Sequence, residues 1–215
     1  MLRELISNEW LTVLIVTCIA ILTLAKAISF SRFNDFLGIV INSNYLKIYA
    51  RDQKFIDQFD ALLFINQAIN LVVFGFICYN FFLNPLIFDI QLFLKVFLGL
   101  SGLILIKVLI ERLIGSLFEI DQLIDSYLFQ KINYKNYLGL VLLPINIILI
   151  FSTSPNSTLI YSAILILGLI SFLGFFTSVK THQKVILNNL FYFILYLCAL
   201  EIGPYIILYK LFNYN

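Results

Sequence analysis

One carboxylate in this chain sits where water is scarce. Glu201 lies near the middle of the apolar run Leu195–Lys210, LYLCALEIGPYIILYK, two residues before Gly203-Pro204. At bilayer depth an ionised carboxylate costs about 2.5–3.5 kcal/mol on insertion scales, so it calls for a partner or a task. Pro204 has no N–H, which frees the carbonyl of Leu200 and favours a kink there. Free carbonyls beside a carboxylate could coordinate a cation or relay a proton. The structural alternative is a kinked helix whose Glu hydrogen-bonds its neighbours.

Other polar residues reach a similar depth. Counting about 1.5 Å per residue from the centre of each apolar run puts Asn70, Asn146 and Thr17 in the layer of Glu201. Asn66 is one turn from Asn70 on the same helix face, with Gln67 beside it. Lys95 and Lys107 each fall roughly 9 Å from the centre of their run, near enough to the edge to snorkel. Lys107 has Glu111 at i+4. Lys95 lies on the same side as Glu201 and is its best charged partner by depth. Otherwise Glu201 is protonated and bonded to an Asn, a Tyr or a backbone carbonyl, because desolvation favours the neutral form. The expected intramembrane polar centre is thus Glu201, Pro204, Asn70, Asn146 and Lys95.

No catalytic set accompanies it. His182 is the single histidine, too few for the usual zinc site without nearby cysteines. Cys18, Cys78 and Cys198 lie far apart inside apolar runs and read as buried reduced thiols. Phosphate-binding Gly loops, nucleophile elbows and HExxH patterns do not occur. Glu119, Asp121 and Asp125 cluster as a cation site would, but carboxylates that keep an interfacial helix wet are the commoner arrangement. Asn156-Ser157-Thr158 matches a glycosylation sequon, a frequent chance pattern. The expectation is therefore no enzyme, no metal and no cofactor.

The elements that would position these residues are membrane spans. The 215 residues are 61% hydrophobic and 12% charged, against about 45–50% and about 25% in soluble domains. Runs near the about 20 residues needed to cross hydrocarbon are Trp10–Ser29, Ala61–Leu83, Ile90–Ile110, Tyr137–Phe151, Thr158–Thr177 and Val185–Lys210. The fourth is shortest and contains Pro144. Loops alternate in charge. The first holds Arg32, Lys47, Arg51 and Lys54, the third Arg112, Lys131 and Lys135, and the fifth Lys180 and Lys184, while the second and fourth hold no Lys or Arg. By the positive-inside rule the basic loops are cytoplasmic and both termini lie outside. A cleaved signal peptide ending at Ala25-Lys26-Ala27 is the competing reading of the first run, but Glu4 and Glu9 outweigh Arg3 in its leader.

Two loops carry their own pattern. Phe30–Phe59 mixes aromatic and aliphatic residues with charge, and in Ile114–Ile132 the residues Leu117, Ile120, Ile124 and Leu128 recur at helical spacing. Both suit amphipathic interfacial helices, packed under the bundle or docking a partner protein. Gly168, Ser171 and Gly174, and likewise Gly99 and Gly102, offer small-residue faces for close helix approach. Net charge +2, with no basic run, argues against nucleic acid.

The closing stretch resembles the signature of an uncharacterised Bacteroidota family of small multi-pass inner-membrane proteins, a domain of unknown function. A Cys–Leu–Glu–Ile–x–Pro core followed by Lys maps onto Cys198, Glu201, Pro204 and Lys210, with Ala199 inserted. Tyr137–Pro144, YLGLVLLP, and Asn44-Tyr45 are similar as well. The resemblance implies the bacterial inner (cytoplasmic) membrane and no established activity. The whole reading is an all-α polytopic bundle of six transmembrane helices in one domain, with interfacial helices in the first and third loops and both ends out. Its partners are the lipid bilayer and either another membrane protein or a second copy. The expected role is a non-enzymatic accessory or assembly subunit of an envelope complex. The alternative is a small transporter or ion- or proton-coupled carrier centred on Glu201.

Overall fold

A computed structural model describes residues 9–40, 44–49, 57–82, 89–117, 121–151 and 157–181. All regular structure among them is helical: α1 (Glu9–Ile28), α2 (Phe30–Leu37), α3 (Asn44–Tyr49), α4 (Gln58–Phe82), α5 (Ile90–Leu117), α6 (Asp121–Phe151) and α7 (Ser157–Thr181). Five of these, α1, α4, α5, α6 and α7, are long and apolar enough to cross a membrane. The sixth apolar run, with Glu201, Pro204 and Cys198, lies outside the described residues, as do His182, Glu119 and Asn156.

Helices α4 and α6 form the centre, with α1 and α5 against α4, α5 and α7 against α6. A glycine explains how closely the central pair can approach. A Cβ on Gly139 of α6 would fall 2.4 Å from the Gln67 Cα of α4, so the backbones meet where no side chain fits. Gln67 faces Gly139, and Asn70 faces Asn146 one turn further along. Both pairings advance together, so α4 and α6 run parallel. Helices α5 and α7 run against α6: Gly115 abuts Ile124 while Glu111 meets Lys131, and Gly174 abuts Tyr134 while Ile160 packs near Leu149.

Two expectations about boundaries change. The third-loop segment forms no separate interfacial helix. Helix α5 continues to Leu117 and α6 begins at Asp121, so Ile114–Ile132 is mostly the abutting ends of two long helices. At about 1.5 Å per residue, the 28 residues of α5 and 31 of α6 reach roughly 42 and 46 Å, more than about 30 Å of hydrocarbon requires. The stripe of Ile124 and Leu128 points inward and is buried. Periodicity alone cannot separate a helix lying in the interface from one that projects through it. Pro144 does not end the fourth span either, because α6 runs through it.

The first loop does fold into two short amphipathic helices. In α2, Phe33 and Phe36 are buried while Phe30, Ser31 and Asn34 stay exposed. Gly38 follows α2, its N–H bonding the Asp35 carbonyl. Phe36, Ile39, Tyr45 and Leu46 join Ala25 of α1, Phe59 and Leu63 of α4, and Phe129 and Tyr134 of α6 in one apolar cluster. It closes one end of the bundle, hereafter the loop end.

Candidate functional site

Of the five residues expected to make the polar centre, the structure brings two together. Asn70 is the central residue of α4 and is buried. Its Nδ2 donates to the Asn66 carbonyl at 2.9 Å, one turn back. Asn146 of α6, fully buried, donates from Nδ2 to the Asn70 carbonyl at 3.0 Å and approaches Asn70 Oδ1 at 3.2 Å. Two carboxamides thus bolt α4 to α6 where water cannot satisfy them.

Thr17, expected in this layer, is exposed and turns back onto its own helix, bonding the Val13 carbonyl at 2.8 Å. Its neighbour Cys18 takes the place, buried and 3.4 Å from Asn70 Nδ2. Depth counting placed the layer correctly but carries no angle, and one residue of rotation on α1 is about 100°. Lys95 is exposed on α5 and joins neither Asn70 nor Asn146. Its expected partner Glu201, with Pro204, lies outside the described residues. The small-residue faces divide: Gly174 closes on Tyr134, while Gly99, Gly102 and Gly168 have nothing within 4 Å of an added Cβ.

The seam between α4 and α6 has unused hydrogen-bonding capacity. Asn66 Nδ2, both side-chain atoms of Asn136, and Asn146 Oδ1 are buried and find no partner among the described residues. Each unmet buried group costs about 1–3 kcal/mol, which singles the seam out, since most such groups in folded proteins are bonded.

At the loop end a second polar group surrounds Arg32 of α2. Its guanidinium forms ion pairs with Asp57 and with Asp60, the latter at 2.9 Å, and Nε donates to the Tyr45 hydroxyl at 3.2 Å. It also lies over the Phe59 and Tyr49 rings, 4.7 and 5.3 Å from their centroids. The Tyr45 hydroxyl then donates to Asn133 Oδ1 of α6 at 3.3 Å. Burial pushes the Tyr45 phenol above its ordinary range, so it remains a neutral donor. Burial alone would lower the Arg32 guanidinium, but Tyr45, Asp60 and Asp57 outweigh it and hold the charge in place. In the sequence, Arg32 counted only toward loop charge; nothing in its local spacing marks Asp57, Asp60 and Tyr45 as partners.

Glu111 was paired by spacing with Lys107, yet its carboxylate is bonded by Lys131 of α6 at 2.7 Å. The carboxylate is fully buried and Lys131 nearly so. Asp125, expected among wet carboxylates, lies 3.3 Å from Arg112 Nε. No group of three metal-ligating side chains occurs among the described residues. Cys18 and Cys78 are free thiols.

Residues 11–212 match the model of a family described as a domain of unknown function, DUF4271. No curated protein and no solved structure matches the chain.

Proposed function

The chain belongs to the DUF4271 family, and from that premise we propose that it is a non-enzymatic accessory or assembly subunit of an envelope complex. Its setting in this reading is the inner membrane of a bacterium, consistent with the Bacteroidota-like C-terminal signature, with six spans and both ends outside. The observation that carries the reading is helix α5. Along most of its length α5 presents large apolar side chains outward, Leu98 and Leu103 among them. On the same helix Gly99 and Gly102 open onto free space. Exposed glycines let a second backbone approach closely, which lipid tails do not need. The sequence adds support, since it contains no nucleophile–base pair.

Isolation from native membranes in a mild detergent tests this. Wild-type protein should migrate as a complex of fixed stoichiometry, and Gly99→Leu/Gly102→Leu should release a folded monomer. A wild-type protein that is always a lone monomer would sink the reading.

A second reading, a small transporter or ion- or proton-coupled carrier centred on Glu201, is favoured by the unpartnered carboxamides of the α4–α6 seam. It requires Glu201→Gln to abolish uptake into proteoliposomes while the protein remains folded and inserted. A Glu201→Gln protein that simply fails to fold assigns Glu201 to architecture.

A further inference from the structure

The unpartnered atoms of the seam share one side of α6. At 100° per residue, Asn136, Gly139 and Asn146 fall within a single arc, the arc that Gln67 and Asn70 of α4 meet. Asn136 is the most telling member: it is fully buried, and neither its donor nor its acceptor has a partner among the described residues. The groups are all carboxamides, able to donate and accept without carrying charge. Such a lining suits a small neutral hydrogen-bonding molecule and disfavours an ion, whose desolvation it could not offset. Beyond Asn146 the seam ends in apolar side chains such as Val73 and Leu149. It is blind on that side.

At the loop end only the first loop covers it. The Phe36 ring of α2 stands 6.0 Å from Tyr137, the residue after Asn136. Tyr45 of α3 bonds Asn133, one turn before Asn136. Both aromatic residues are anchored by Arg32, through its bond to Tyr45 and its pairs with Asp57 and Asp60. The Asp57 side chain is 44% exposed, so solvent reaches the outside of this clasp.

We propose that α2 and α3 form a gate, latched by Arg32 on Asp57 and Asp60, over a blind polar pocket between α4 and α6 that takes water or another small neutral hydrogen-bonding molecule. The pocket is independent of any partner on α5.

Thiol reactivity in nanodiscs tests the gate. The native cysteines are replaced by alanine, Asn136→Cys is introduced, and the probe is neutral 2-hydroxyethyl methanethiosulfonate. Asn136→Cys should react slowly with the latch intact. Adding Arg32→Gln should raise its rate by about tenfold or more, the scale of losing charge-assisted hydrogen bonds, and Arg32→Lys should raise it less. Leu142→Cys, buried on another face of α6, should stay unreactive throughout. If Arg32→Gln does not fold, Asp57→Asn opens the same latch from its exposed side. Equal rates with and without the latch overturn the proposal. So does a Leu142→Cys rate that rises in step, because that reports general loosening.

Discussion

Asn70 and Asn146 show how little a mid-membrane hydrogen bond needs to contribute in order to define a structure. Interhelical bonds between membrane helices average about 0.6 kcal/mol and reach about 1.7, because the unfolded helices also find partners. A double-mutant cycle with Asn70→Leu and Asn146→Leu, read from unfolding in mixed micelles, should therefore return a coupling of about 0.6–1.7 kcal/mol. Glu111 and Lys131 are a different case. The carboxylate has no exposed surface, and removing Lys131 leaves it without the cation that bonds it at 2.7 Å. Lys131→Met should cost about 3 kcal/mol or more, and Glu111→Gln/Lys131→Met should recover most of that in the same assay. Both Asn residues were legible as a pair because depth can be counted along an apolar run. Lys131 was not, because it is 20 residues from Glu111 and only the fold of α6 against α5 joins them.

At the scale of elements, glycine position decides which helices can touch. Gly139 sits where an added Cβ meets the Gln67 backbone at 2.4 Å. A backbone atom cannot swing aside as a flexible side chain can. Gly139→Val should separate α4 from α6 and abolish the cooperative melt, whereas Gly99→Ala, facing open space, should leave the melting temperature unchanged or slightly raised, since Ala is the better helix former by about 1 kcal/mol. In the sequence the two glycines look alike, each inside an apolar helical run. The paired spacing of Gly99 and Gly102 even made them the more conspicuous of the two. Which glycine faces a neighbour depends on helix rotation, and that is set by the whole bundle.

For the whole molecule, the arrangement of charge predicts an orientation that can be checked directly. Lys26 and Arg32 stand at the loop end with the start of α4, while Asp89 caps the start of α5, its carboxylate accepting from the Gln91 N–H at 3.1 Å. Reporter fusions after Ile48 should be active in the cytoplasm and fusions after Pro85 active outside it; the reverse pattern would overturn the assigned orientation. The alternation of basic and uncharged loops depends on composition and order alone, so it was readable before any fold was known. The same is true of the all-helical architecture: backbone groups in hydrocarbon must bond within their own segment, so apolar runs of this length become helices. Which residues meet is another matter. The pairing of α4 with α6 through Gly139, the exchange of Thr17 for Cys18 beside Asn70, and the folding of Arg32 onto Asp57, Asp60 and Tyr45 all depend on the rotation and contact of helices distant in the chain. Local sequence determines what each segment becomes, because its own backbone and its solvent decide that. Tertiary structure decides which buried polar groups find partners, because a hydrogen bond depends on ångströms and angles that no single segment specifies.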